Sequence, residues 1–223
     1  MRKFIVVGMT LTFLACAGAG QAAPSPKAQP LSKAELQARR TAEALYAQAR
    51  RQAKAEDFAA ARTSLDDALK QDSTFDPARY LRATLHQNDG RYDLAVKDFD
   101  VLIAREPDQA ALNNGRCWSR GLGNVELDLA LADCETALKL QPGNAAILDS
   151  RGFVKLRKGD LAGAVADYDA ALKASPDQAA SLFGRGVAKR RQGAKAAGDA
   201  DLAGARKVDP GVEQEFAGYG VTP

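Results

Sequence analysis

From Ala42 to about Val212 the sequence repeats itself every 34 residues. Gly152, Ala164, Tyr168, Ala171 and Pro176 each stand 34 positions before Gly186, Gly198, Leu202, Ala205 and Pro210. Ala83, Ala95, Phe99, Leu102 and Pro107 fall on the same grid upstream, and Ala49, Ala61, Leu65, Ala68 and Ser73 fall on it once more. A fifth copy, with Cys117, Ala130, Cys134, Ala137 and Pro142, fits after one extra residue between its halves, near Gly121-Leu122-Gly123. A sustained period of this length confines the chain to architectures that stack one small unit on copies of itself.

Within a copy the apolar and small residues recur at helical spacing, as in Leu161, Ala164, Val165, Tyr168, Ala171 and Leu172, so one stripe faces one way. Two short amphipathic helices cannot bury such stripes alone, whereas stacked neighbours form a continuous core. Glu56-Asp57, Gly90-Arg91, Gly159-Asp160 and Gly193 separate a first helix (A) from a second (B), and proline after B stops the helix because it has no amide to donate. No alternating apolar and polar run marks a strand.

The pattern resembles the tetratricopeptide repeat family, a helix-turn-helix unit with small residues at repeat positions 8, 20 and 27, a bulky one at 24 and proline at 32. Ala145 to Gln178 matches it best. The resemblance implies an all-α, right-handed solenoid of five repeats at 42–75, 76–109, 110–144, 145–178 and 179–212, preceded by a helical extension at 32–41 and closed by a C-terminal cap at 213–223. Ser32 followed by Glu35 is a capping box that starts the extension. Phe216 and Tyr219 are expected to cover the last repeat.

Ahead of the repeats, Arg2 and Lys3 precede an apolar stretch from Phe4 to Ala17 and the small residues Gly18, Ala19, Gly20 and Ala22, the three parts of a secretory signal peptide. Residues 1–22 are read as the leader, since cleavage one residue later would place Pro24 at the junction. Residues 23–31 read as a proline-rich linker. The apolar stretch falls short of the ~20 residues a span requires. Phe13-Leu14-Ala15-Cys16 is a loose lipobox, so the alternative to a free periplasmic or secreted protein is a lipoprotein anchored at Cys16.

Removing the leader takes away two of the 31 basic residues and none of the 28 acidic ones, leaving a net charge of +1. That balance gives no reason to expect nucleic acid, whose binders carry a basic surplus or stripe. No cofactor and no metal is expected: the lone histidine, His86, sits where the family packs a tyrosine, and no Cys-x-x-Cys, phosphate loop or nucleophile elbow occurs. Arg82, Arg116, Arg151 and Arg185 recur at position 7, and Asp98, Asp133, Asp167 and Asp201 at position 23. Recurrence marks them as contacts between helices, not as catalytic groups, and no catalytic set can be assembled.

In the family, helix A positions 2, 5, 9, 12 and 13 line a concave groove, and every copy here carries an aromatic residue at 5 or 9: Tyr46, Tyr80, Trp118, Phe153 and Phe183. Arg50, Arg157 and Arg190 stand beside them, together with Lys54 and Arg191. Aromatic and arginine side chains anchor interfaces because they bury much area and keep a polar handle. The groove is therefore expected to bind a protein or an extended peptide, the alternative being that the rings only pad the contacts between repeats. The runner-up functions are an oligomerisation module and an accessory subunit of a cell-envelope enzyme.

One pair is peculiar to the third copy. Cys117 takes position 8 and Cys134 position 24, which face each other across the contact of A with B in the family fold. A small residue at 8 lets the helices approach within the ~4.4–6.8 Å between Cα atoms that a disulfide needs. Export would supply oxidising surroundings, and loss of the leader with Cys16 would leave an even pair. Two buried thiols are the alternative.

Overall fold

The computed structural model describes residues 30–223, and the leader and the Cys16 motif lie outside them. The described residues form eleven α-helices and no strand. Copy one is α1 (Lys33–Lys54) and α2 (Phe58–Gln71); copy two is α3 (Asp76–Asn88) and α4 (Tyr92–Arg105). Copy three is α5 (Ala110–Gly123) and α6 (Leu127–Leu140), copy four α7 (Ala145–Lys158) and α8 (Leu161–Ala174), and copy five α9 (Ala179–Arg191) and α10 (Lys195–Val208). A short α11 (Val212–Gly218) follows.

Local chemistry sets these limits. Ser32 accepts from the Glu35 amide while the Glu35 side chain accepts from the Ser32 amide, so the extension and the first helix of copy one are a single 22-residue helix. Asp57 and Asp160 cap α2 and α8 by accepting from the third amide beyond them. Pro107, Pro142, Pro176 and Pro210 each come two residues after helix B has ended. Between A and B the chain turns through a left-handed residue, Gly90, Gly159 and Gly193 in copies two, four and five. Copy three needs two such residues and uses Asn124 and Glu126, so its extra residue is absorbed at 124–126, just past the glycines that mark it in the sequence.

Each A packs on its own B and on the preceding B, and A helices of successive copies also meet, α1 with α3, α5 with α7 and α7 with α9. Small residues at position 8 permit this. A methyl group added to Gly186 would sit 2.9 Å from the Gly198 carbonyl oxygen, so α9 and α10 touch backbone to backbone. The bulky residue at position 24 fills the gap between copies: Leu65, Phe99, Tyr168 and Leu202 are all buried.

The recurring arginines and aspartates form a ladder. Arg82 donates through Nε and Nη2 to the Asp98 carboxylate at 2.9 and 2.6 Å, and its Nη1 reaches Asp66 of the previous copy at 2.7 Å. Arg116 repeats this with Asp133 and Asp100, and Arg185 with Asp201 and Asp169. Arg151 holds Asp167 in the same fork. Each guanidinium thus ties A to its own B and, in three copies, to the B before it, a geometry the planar fork suits and an ammonium does not.

Candidate functional site

The A helices stack side by side, so positions 5 and 9 of successive copies come to one face. Near the N-terminus the rings are half-buried and lean on the framework. Tyr46 meets Phe75 edge-on at 5.6 Å with the Arg50 guanidinium 5.9 Å from its ring, and Tyr80 meets Phe99 edge-on at 5.9 Å. Burial pushes the Tyr80 hydroxyl pKa up. Arg50 is exposed, and with Ala47, Arg51 and Lys54 it lines a shallow basic hollow on α1. Gln87 joins α3 to α5 by donating to the Gly115 carbonyl at 3.0 Å and to Ser119 Oγ at 2.8 Å.

The other half of the face is covered. Trp118 and Phe153 lie 4.8 Å apart, and Phe216 and Tyr219 from the C-terminal segment sit on them. Phe216 is 4.6 Å from Phe183 and 5.9 Å from Phe153, while Tyr219 is 5.9 Å from Trp118 and 6.0 Å from Phe153. Phe153 and Phe183 are consequently 1% and 0% exposed. The segment therefore reaches back beyond the last copy as far as α5, where the sequence led us to expect a cover for the last repeat alone.

The arginines divide between two tasks. Arg157 stacks over Phe153 at 5.3 Å and donates to the Tyr219 carbonyl; Arg191 donates to the Thr222 carbonyl at 3.0 Å. Arg190 instead pairs with Asp199 at 2.9 Å and holds α9 to α10. Of the residues singled out from the sequence, then, Trp118, Phe153, Arg157 and Phe183 form one cluster with the tail, Tyr46, Arg50 and Tyr80 lie along the uncovered part, and Arg190 belongs to the framework.

Asp149 is the residue that sequence reasoning missed. It takes position 5 of copy four, where its counterparts are Tyr46, Tyr80, Asn114 and Phe183. It is buried on α7, and Ser181 Oγ of α9 donates to it at 2.5 Å. Burial pushes its carboxyl up to about 6; the Ser181 hydrogen bond opposes this and the nearby Glu215 carboxylate adds to it. An acid at a position otherwise given to rings and an amide was the available signal.

His86 is buried, its pKa is lowered by that burial, and its Nδ1 has no hydrogen-bond partner among the described residues. No group of three or more histidine, cysteine or acidic residues that could hold a metal occurs among the described residues. Nor is any described helix long and apolar enough to cross a membrane. The Cα atoms of Cys117 and Cys134 lie 5.5 Å apart with their sulfur atoms within bonding distance.

Comparison with known proteins bears on this architecture. A sequence profile described as tetratricopeptide repeat matches residues 46–110, 80–145 and 151–207. No curated protein matches the chain significantly. Among solved structures, PilW, described as a widely conserved type IV pilus biogenesis factor, is similar with a TM-score of 0.67 at 21% identity over 75% of this chain and 77% of its own. TTC0263, a thermophilic tetratricopeptide repeat protein of Thermus thermophilus, gives 0.60 at 23% identity over 84% and 97%. MamA from residue 41 onward, from Desulfovibrio magneticus RS-1, gives 0.65 at 15% identity over 76% and 96%. At such identities the likeness carries the fold alone.

Proposed function

The chain belongs to the tetratricopeptide repeat family, and from that premise we propose that it is an exported scaffold whose groove binds a segment of another protein. The observation that carries the reading is that a peptide already lies there: the C-terminal segment seats two aromatic rings on α5, α7 and α9 and has its carbonyls taken by Arg157 and Arg191. A helical turn laid into an apolar groove is a recurring mode of peptide recognition. Tyr46, Arg50 and Tyr80 extend the same face toward the N-terminus. The groove's charged groups are mostly cationic, which favours a partner carrying acidic residues beyond its apolar anchors.

Several features support an adaptor over a catalyst. Asp149 and Ser181 form an acid-hydroxyl pair on this face, and both are buried away from solvent. Export rests on the leader at 1–22, with a membrane anchor at Cys16 as its alternative, and the Cys117–Cys134 pair suits an oxidising compartment. Within this reading that pair is a disulfide.

Site-specific photocrosslinkers at Tyr80 and Trp118, compared with one at Thr136 on α6, test the groove in living cells. One product shared by the two groove positions, missing from Thr136 and weakened by Tyr80→Ala, is the expected result. Equal capture from both faces would refute the groove as the binding surface.

A further inference from the structure

An end cap has to cover only the last pair of helices, yet residues 216–222 run across three copies. Phe216 stacks on Phe183 of α9 and Phe153 of α7, and Tyr219 goes on to Trp118 of α5. Past Gly218 the chain leaves the helix, Val221 is buried, and arginines from position 13 of two copies take main-chain carbonyls. Apolar pockets that accept rings, with cations that accept backbone, are what a receptor for a short peptide provides.

The segment is also weakly built for a permanent part of the core. Its helix has seven residues and no side-chain N-cap, far below the length at which an isolated helix persists. Glu215 is turned to the Tyr219 hydroxyl, which donates to it at 2.7 Å.

We propose that residues 216–222 are an internal placeholder in a peptide-docking face on α5, α7 and α9, displaced by a partner segment with aromatic residues at i and i+3 and an aliphatic residue at i+5. The spacing is that of Phe216, Tyr219 and Val221. The tail competes from within the chain at an effective concentration of about millimolar, so only a segment that improves on it opens the face. The proposal rests on the groove reading above and adds to it the docking element and its intramolecular competitor.

Trp118 is the only tryptophan of the chain and lies against Tyr219, so its emission reports the closed state directly. The experiment titrates the full mature chain, wild type and Phe216→Ala/Tyr219→Ala, with a synthetic peptide of residues 211–223 and with the same peptide carrying Phe216→Ala/Tyr219→Ala. Emission of the variant is expected to shift to the red and to return on saturation with peptide. The peptide without its rings should bind the variant at least tenfold more weakly, and wild type should need at least tenfold more of the intact peptide. A variant that keeps its helicity and does not respond by ~1 mM peptide would overturn the proposal.

Should the variant fail to fold, hydrogen exchange on wild type decides. Amides of Tyr219 and Val221, bonded to the Glu215 and Phe216 carbonyls, are expected to exchange at least a hundredfold faster than those of α7 and α8. Equal protection would make the tail ordinary core and sink the idea. The two failures are distinguishable. Crosslinks from Tyr80 with no peptide response would leave the groove reading and remove the placeholder; a peptide response with no crosslinks would remove the groove reading and the placeholder role with it, leaving only a displaceable tail.

Discussion

The Phe216 ring lies 4.6 Å from that of Phe183, tilted by 47°, across the inner face of the solenoid. Phe183 belongs to position 5 of copy five and Phe216 belongs to the tail, so the contact covers part of the face that positions 5 and 9 share. The half toward α1 keeps its rings partly exposed. A solenoid of similar copies is thereby given two unlike ends, one open and basic around Arg50 and Lys54, the other covered by the tail.

Asp149 gives the occupied end a pH dependence. Its carboxyl is held at about 6 in the folded chain against an ordinary 3.8, so between those values the folded state carries a proton that the unfolded state has lost. Stability therefore falls as pH rises through that window, by up to about 3 kcal/mol at ~1.4 kcal/mol per unit, and levels off above it. Asp149→Asn keeps the shape and removes the charge. Urea midpoints should show the variant more stable than wild type by about 1–3 kcal/mol at pH 7.5 and close to it at pH 4.5. A constant difference at both values would assign the effect to packing.

The arginine ladder predicts a contrast between acids of one sequence type. Asp167 is buried and gripped by Arg151 and by Lys155 at 2.7 Å, whereas Asp66 is half-exposed beside Arg82. Asp167→Ala leaves two partly buried cations without their acceptor and should cost about 2–4 kcal/mol in chemical denaturation. Asp66→Ala breaks one exposed bond and should cost under about 1 kcal/mol. Similar losses would mean that the ladder does not depend on burial.

The ladder was legible in the sequence because each of its members recurs. Position 7 and position 23 carry the same residue types in four copies, and repetition separated Arg116 and Asp133 from chemistry before any contact was visible. The core was legible for the same reason, since small residues at 8, 20 and 27 have a steric duty that recurs. What occurs once was not. The seat of Phe216 and Tyr219 depends on how far an eleven-residue tail folds back, and periodicity holds no information about a segment outside the period. Arg190 resembled Arg157 in the sequence, yet it has Asp199 within reach on α10 and turns to it. Asp149 was invisible as a buried acid because its hydrogen-bond partner, Ser181, lies on α9 of the next copy, 32 residues on.

Tyr168 marks another place where one copy is unlike the rest. Its ring packs between Gly152 and Gly184, and a methyl group on Gly184 would fall 2.3 Å from the ring carbon that carries the hydroxyl. Gly184→Ala should therefore lower stability by about 1–3 kcal/mol through overpacking, despite the better helix propensity of alanine. Gly204 has only Leu182 nearby, at 3.9 Å, so Gly204→Ala should instead raise stability by a few tenths to ~1 kcal/mol. Thermal unfolding of the two variants checks the opposed signs.

Processing and the cysteine pair are tested together on one sample, the protein recovered from the cell envelope without reducing agent. Cleavage by the ordinary signal peptidase predicts a chain beginning at or next to Ala23 with no acyl group, and that cut removes Cys16 and leaves Cys117 and Cys134. With Cα atoms 5.5 Å apart across α5 and α6, the two meet the geometric need of a bridge without backbone movement. A loop closed across a separation of 17 residues restricts the unfolded chain by about 3 kcal/mol in the chain-entropy model, a contribution placed in the copy whose A to B turn uses two left-handed non-glycine residues. Denatured, unreduced protein should titrate no free thiol, and its intact mass should rise by two hydrogens on reduction, with a loss of stability of that order. Two free thiols would refute the bridge, and an acyl group on Cys16 would place the protein on a membrane instead.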